Sequence, residues 1–224
     1  MPVLVSGVIA VVIAYLLGSI PGAYIVTRLV TGKDIRKLGG GNVGARNVYQ
    51  EIGLKAAIPV AIIDVGKGVG AVALAKFVLG APSLFVVIAG LVAVAGHIWS
   101  IYLKFNGGNG LATTIGVLSL IMTRELLIVL GIMLVLTVIT RNPVLSLNIG
   151  LLSLPVSSWF LEKSWLAVVF SFLLLLIMML NFLPTAKAAL VEAGGKNRLL
   201  AELIRMEKLP KKPQKGKKSP QSAR

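Results

Sequence analysis

Apolar residues dominate this chain in long runs, cut by a few polar connections. Seven runs cover residues 3–26, 56–79, 84–103, 111–122, 126–139, 144–161 and 165–183. Such runs predict membrane helices, because a helix in hydrocarbon satisfies its backbone N–H and C=O groups internally. The first run is interrupted by Gly18, Ser19, Pro21 and Gly22, which predicts a kink or a close helix approach near its end. Runs 111–122 and 126–139 are short for a full crossing, and 144–161 is broken by Pro155. The longest polar connection is 28–55, and Gly80-Ala81-Pro82-Ser83 predicts a turn. Past residue 183 the chain turns polar, with an amphipathic stretch at 199–206 and then KLPKKPQKGKKSPQSAR, a segment disordered by composition. The expected organisation is a transmembrane domain over 1–190 and a basic cytoplasmic tail over 191–224.

Composition sharpens this picture. The 224 residues are 56% hydrophobic and 14% charged, against about 25% charged in a soluble domain. Mean hydropathy is +0.90, and no stretch is left for a soluble catalytic domain. The absence of cysteine excludes disulfides and thiolate metal sites. The N-terminal run lacks a basic leader and a convincing cleavage site, so it reads as a first span.

The net charge of +15 matters through its placement. Arg28, Lys33, Arg36, Lys37, Arg46, Lys55, Lys104 and Arg141 fall in one set of connections, joined by eleven Lys/Arg from Lys187 onward. The opposite set holds only Arg124 and Lys163, while Lys67 and Lys76 lie within the second run. Positive residues stay inside, so the N-terminus is expected outside and the C-terminus in the cytoplasm. The expected fold is an all-α polytopic membrane protein of about seven transmembrane helices. Its basic tail would rest on anionic membrane lipids at roughly 1 kcal/mol per cation near the surface. Nucleic acid is not an expected partner.

Three polar constellations interrupt the apolar pattern. KFNGGNGLA, starting at Lys104, puts Gly107, Gly108 and Gly110 just before a helix. Glycine-rich backbone and a helix N-terminus suit an anion, and the same residues also suit a tight turn between helices. Asp64 and Lys67, three apart, share a helix face beside Gly66 and Gly68, either as a neutralising pair or as part of a site. His97 is the only histidine, which rules out a histidine metal cluster, and no H-x-x-x-x-D arrangement surrounds it. It is either a packing contact or a site residue close to the glycine loop. DIRKLGGGNVGARN supplies Arg36, Lys37 and Arg46, the glycines at 39–41, and Asn42 and Asn47, a set suited to a phosphate-bearing small molecule. It is neither a Walker A sequence nor a dinucleotide fingerprint. Together they describe a membrane-embedded phosphate pocket.

At this point the chain resembles the acyl-phosphate-dependent glycerol-3-phosphate acyltransferases of bacterial membranes. The resemblance covers residues 17–116 and rests on GSIPGAYIVTRLVTGKDIRKLGGGNVGARNV, then DVGKG, then GHIWSIYLKFNGGNGLAT. It implies a seven-span, multi-pass protein of the bacterial inner membrane. It further implies acyl transfer from acyl phosphate to the 1-hydroxyl of glycerol 3-phosphate, giving lysophosphatidic acid, with no metal or other cofactor. The family's first motif reads G-S-G-N-x-G-A-T-N-x-x-R, and here Gly40, Arg46 and Gln50 stand at its serine, threonine and last arginine. The third reads G-H-x-x-P-x-F-x-x-F-x-G-G-K-G-V-A-T, and here Ser100 replaces the proline and Asn109 the phosphate-contacting lysine. The family's closing R-H-x-x-N-I-x-R-L has no histidine counterpart after Asn181, and Thr185 stands at its asparagine.

By this resemblance the candidate catalytic residues are His97, Lys67 and Asn109. The candidate substrate-binding residues are Arg36, Gly39, Gly41, Asn42, Arg46, Asn47, Asp64, Gly68, Gly107, Gly108 and Gly110. Asn42 and Asn47 would hold the substrate phosphate, Lys67 would supply charge oriented by Asp64, and His97 with the glycine-loop amides would stabilise the donor phosphate or the oxyanion. Arg46, four residues before Gln50, is a candidate replacement for the missing cation if that segment is helical. A relative that keeps the pocket but only binds is the main rival reading. A transporter would predict repeated spans, which the sequence does not show.

Overall fold

The computed structural model describes residues 2–193, with side chains through residue 182. Ten α-helices follow one another: α1 (Val3–Ser19), α2 (Gly22–Thr31), α3 (Ala45–Glu51), α4 (Leu54–Ala73), α5 (Ser83–Ile98), α6 (Leu111–Ile121), α7 (Thr123–Thr140), α8 (Pro143–Leu151), α9 (Leu154–Leu161) and α10 (Trp165–Ala193). Five helical stretches are long and apolar enough to cross a membrane: Val3–Thr31, Leu54–Val78, Ser83–Leu103, Thr123–Thr140 and Trp165–Phe182. A sixth forms if α8 and α9, bent by 46°, count as one span. The protein is thus all-α and multi-pass, with five or six apolar spans. Its outward residues are apolar, as lipid-facing positions should be: Ile58 and Ile62 on α4, and Leu134, Val138 and Ile139 on α7, are all exposed.

Local sequence sets most of the breaks. Ile20 precedes Pro21, a position that disfavours helix, so the first span splits into α1 and α2. Gly32, with φ of 69°, closes α2 in a left-handed cap. The Asn142 side chain accepts from the Leu145 N–H at 3.2 Å and Pro143 opens α8, a favourable cap and first-turn pair. Four boundaries differ from the sequence expectation. The 126–139 run belongs to the 18-residue α7, because Thr123, Arg124 and Glu125 are helical. Glu125 is fully buried in that first turn. The break in the 144–161 run falls at Leu152 and Ser153, two residues before Pro155. Helix α5 stops at Ile98, and Ile101–Leu103 forms a 3-10 turn, so the run 84–103 is not one regular helix. The polar connection 28–55 carries the end of α2, a 3-10 turn at Ile35–Lys37 and all of α3. The proposed domain boundary at 190/191 falls inside α10, and the 199–206 stretch and the basic tail lie outside the described residues.

Small residues fix the central crossings. A Cβ on Gly18 of α1 would meet the Ala93 carbonyl of α5, and one on Gly96 of α5 would lie 2.6 Å from the Tyr15 carbonyl of α1. The same reciprocity joins α4 to α6: Gly68 faces the Thr113 carbonyl, and Gly116 faces the Val65 carbonyl. Backbone approaches of this kind bring polar groups on separate helices within hydrogen-bond reach. A second apolar cluster, Ala23, Val26, Ile35, Val43, Val48, Ala56, Ala57, Val60 and Leu103, binds the 28–55 connection to α2, α4 and the end of the third span. That places the glycine-rich first connection beside the glycine loop.

Candidate functional site

Asp64 and Lys67 lie one helical turn apart on α4 and are buried, at 1% and 7% exposure. Lys67 Nζ is 2.9 Å from Asp64 Oδ1 and donates a hydrogen bond of 2.9 Å to the Ile20 carbonyl. The contact with Asp64 is an ion pair rather than a directed hydrogen bond, since Asp64 Oδ1 is without a hydrogen-bond partner among the described residues. Pro21 interrupts the first span there, and the Ile20 carbonyl accepts from the Gly22 N–H at 3.1 Å as well as from Lys67. A break in one helix thus helps neutralise a cation on another.

His97, from the last turn of α5, completes the cluster. Its Nδ1 lies 3.5 Å from Asp64 Oδ1 and 3.2 Å from Thr113 Oγ1. The carboxylate favours a proton on Nδ1, which leaves Nε2 with a lone pair. Nε2 faces the glycine loop, where a Cβ on Gly108 would collide with it and with the Val43 carbonyl. Four elements, α4, α5, α6 and the α1–α2 break, therefore converge on one buried polar cluster.

Beside it is a cleft with about 170 Å³ of atom-free space, lined by Ser19 through Gly22, Val43, Asp64, Lys67, His97, Ser100, Leu103, Gly107 and Gly108. Ser100, at the position of the family's proline, donates from Oγ to the Ser19 carbonyl at 2.6 Å and ties the two walls together. Tyr15 does the same one level away, donating to the Trp99 carbonyl at 2.8 Å.

The glycine loop is built differently from the expectation of open amides. Gly107 N–H donates to the Ile98 carbonyl at 2.9 Å and Gly108 N–H to the His97 carbonyl at 3.1 Å. Both amides thus terminate α5 and fold the loop back on it. The unused N–H groups belong to the first turn of α6, after Gly110 at φ 79°. Asn109 is exposed and does not line the cleft.

Residues of the first connection sit around this centre without lining it, apart from Val43. Gly39 and Gly41 have φ of 52° and 74°, conformations that favour glycine. Asn47 is buried at 5% exposure, and its Nδ2 donates to the Leu38 carbonyl at 3.2 Å and the Asn42 carbonyl at 2.9 Å. With those hydrogens committed, Asn47 staples the loop and has no N–H left for a phosphate. Arg46 is half-buried on α3, one turn before the exposed Gln50, so the two share a helix face. Arg36 pairs with Asp34 at 2.7 Å and lies 5.3 Å from the centre of the Tyr24 ring. The hydrogen bond from Arg36 holds the Asp34 carboxyl below its ordinary range. Gly68 does not line the cleft; it serves the α4–α6 crossing. No group of three or more metal-ligating side chains occurs among the described residues.

Sequence reasoning passed over Ile20 and Thr113, and noted Ser100 only as the replacement of the family's proline. Ile20 acts through its carbonyl, which no side-chain pattern reveals, and Thr113 lies sixteen residues from His97.

Comparison with known proteins gives a consistent result. The model of the family described as glycerol-3-phosphate acyltransferase matches residues 8–190. Glycerol-3-phosphate acyltransferase 1 of Dehalococcoides mccartyi is 36% identical over 198 residues, covering 86% of this chain and 95% of that protein. Glycerol-3-phosphate acyltransferase 2 of Moorella thermoacetica is 38% identical over 191 residues, covering 85% and 96%. Among solved structures, PlsY (YgiH), an integral membrane glycerol 3-phosphate acyltransferase in its glycerol 3-phosphate form, superposes with a TM-score of 0.75. It is 25% identical and covers 91% of this chain and 100% of that one.

Proposed function

We propose, for a chain that belongs to the glycerol-3-phosphate acyltransferase family, a specific reaction: acyl transfer from acyl phosphate to the 1-hydroxyl of glycerol 3-phosphate. The hydroxyl oxygen attacks the acyl carbon, the bond from that carbon to the phosphate oxygen breaks, and lysophosphatidic acid and inorganic phosphate leave. The hydroxyl proton passes to a phosphate oxygen, so no side chain is assigned as general base. Acyl phosphate is already activated, which leaves the protein to position two phosphate-bearing substrates and stabilise the carbonyl oxygen.

The observation that carries this reading is the buried Lys67–Asp64–His97 cluster lining a small cleft. Lys67 supplies charge, Asp64 orients both Lys67 and His97, and His97 Nε2 faces the reacting groups past Gly108. The free first-turn amides of α6 and the exposed Asn109 meet the donor phosphate. Arg46 with Arg36 holds the acceptor phosphate and Asn42 contributes its carboxamide, while Gly39 and Gly41 shape the loop, the Gly41 N–H being committed to the Leu38 carbonyl. For topology, α6 is read as a seventh span; at 11 residues and about 1.5 Å per residue it needs the glycine loop to reach the surface. The N-terminus is placed outside and the basic tail against anionic lipid.

The binding-only reading rests on Gly40, Gln50 and Asn109. It predicts that substrate binds without turnover. The test is purified protein in detergent with labelled glycerol 3-phosphate and either palmitoyl phosphate or palmitoyl-CoA. Lysophosphatidic acid from the phosphate donor alone supports the proposal, and product from the CoA donor alone refutes the donor assignment.

A further inference from the structure

Ser100 sits where two parts of the cleft wall meet. It follows α5, is 2% exposed, and its Oγ donates to the Ser19 carbonyl at 2.6 Å. That carbonyl belongs to the last residue of α1, at an end where a helix leaves its carbonyls without intrahelical partners. The next carbonyl along the chain is that of Ile20, which accepts from Lys67 Nζ at 2.9 Å. The Ile20 N–H is committed as well, donating to the Leu17 carbonyl at 3.1 Å. The ammonium is therefore held from two directions, by Asp64 on its own helix and by a carbonyl whose neighbouring peptide Ser100 pins. Through its own carbonyl Ser100 also receives the Leu103 N–H at 3.1 Å and the Phe105 N–H at 2.8 Å, which shapes the turn leading into the glycine loop. Ser19, Ile20, Lys67, Ser100 and Gly108 all line the cleft. The family's proline has no side-chain donor, so the hydrogen bond to Ser19 is a feature of this chain's own residue.

Resting on the reading of Lys67 as the cation of acyl transfer, we propose that Ser100 is a positioning residue, its hydroxyl setting Lys67 through the Ser19–Ile20 peptide. Tyr15 supplies the comparison. Its hydroxyl also ties α1 to the end of α5, donating to the Trp99 carbonyl at 2.8 Å, yet neither Tyr15 nor Trp99 lines the cleft. General bracing of α1 against α5 would make the two hydroxyls equivalent. Positioning of Lys67 makes them unequal.

The experiment measures kcat and both KM values, with palmitoyl phosphate and glycerol 3-phosphate, for wild type, Ser100→Ala and Tyr15→Phe. Each protein is assayed well below its thermal melt in the same detergent, and Ser100→Ala is repeated in a Lys67→Ala background. Wild-type turnover tests the acyltransferase reading by itself. Ser100→Ala should lower kcat about tenfold, less than the roughly 100-fold of a misplacement of about 1 Å, with both KM values within twofold. Tyr15→Phe should keep kcat within twofold. Without Lys67, Ser100→Ala should change the residual rate by less than twofold, since a residue acting through Lys67 then has nothing to position. An NMR spectrum of protein labelled at the lysine side-chain nitrogen reads the same contact without turnover. The Lys67 signal, assigned by its loss in Lys67→Arg, should move in Ser100→Ala and stay in place in Tyr15→Phe. Equal falls in the two single variants, an undiminished effect of Ser100→Ala without Lys67, or an unmoved Lys67 signal overturns the proposal.

Discussion

Two glycines on one helix should respond oppositely to the same added methyl group. Gly68 is buried against α6, where a Cβ would collide with the Thr113 carbonyl and sit 3.0 Å from the Val117 nitrogen and 3.2 Å from the Thr113 carbonyl carbon. All three are backbone atoms, so no side-chain rotation relieves the contact. Restoring ordinary carbon contacts of about 3.5 Å requires α4 and α6 to separate by about 1 Å. Overpacking of this kind costs about 1–3 kcal/mol of stability. Its functional effect is larger, because α4 carries Asp64 and Lys67 while α6 carries Thr113, which holds His97 at 3.2 Å. A displacement of about 1 Å at reacting groups costs on the order of 100-fold in rate, or about 2.7 kcal/mol of barrier. Gly66, two residues away, is exposed, and nothing lies within 4 Å of an added Cβ. Gly66→Ala should leave activity unchanged and hold or raise stability, by up to about 1 kcal/mol from helix propensity. The assay is lysophosphatidic acid formation beside thermal unfolding in the same detergent. Gly68→Ala with activity within twofold of wild type would refute the claim that this crossing sets the site, as would an equal loss in Gly66→Ala.

Arg46→Ala should lower kcat/KM at least tenfold if Arg46 replaces the missing cation at Gln50, measured with glycerol 3-phosphate as the varied substrate; an unchanged value ends that idea. Asn109→Lys and Gly40→Ser should fold as well as wild type, since Asn109 is exposed and nothing lies within 4 Å of a Cβ on Gly40. If those positions limit turnover, each should raise kcat/KM, up to about tenfold for the added cation. Asp34→Asn should change stability at neutral pH by less than about 1 kcal/mol, because the pair with Arg36 lies at the surface with the Arg36 side chain 37% exposed. The Asp34 carboxyl is held below its ordinary range, so the pair contributes fully above about pH 4 and fades as pH falls through the folded value. Unfolding curves of the two proteins should therefore converge in acid.

The helices were legible because lipid demands long apolar runs, and all seven runs coincide with described helix. Their ends were less so. Thr123, Arg124 and Glu125 looked like a connection because two are charged, yet the first turn of α7 buries Glu125. Likewise, Pro155 drew attention as the breaker, whereas the chain bends just before it and lets Pro155 sit in the first turn of α9. In the site, Asp64, Lys67 and His97 stood out as ionisable residues in apolar runs, and the structure brings all three together. The glycines were visible but not their work: Gly107 and Gly108 spend their amides on α5, and Gly68 spaces two helices. Asn47 drew a phosphate role from its residue type, while its carboxamide is committed to the loop's own carbonyls. Those assignments depend on which backbone atoms lie opposite, information that one-dimensional spacing does not hold.

The central claim is that the buried Lys67 cluster performs acyl transfer. The most direct measurement follows labelled lysophosphatidic acid from palmitoyl phosphate and glycerol 3-phosphate with purified wild type and Lys67→Ala. It is accompanied by glycerol 3-phosphate binding to each protein and by a thermal melt. Removing Lys67 also leaves Asp64 buried without its cation, at a cost of about 3–5 kcal/mol, so the double variant Asp64→Asn with Lys67→Ala is the stability control. Product from wild type that falls at least 100-fold in a folded Lys67 variant is the expected result. Binding without product in wild type, or full activity without Lys67, would contradict the account.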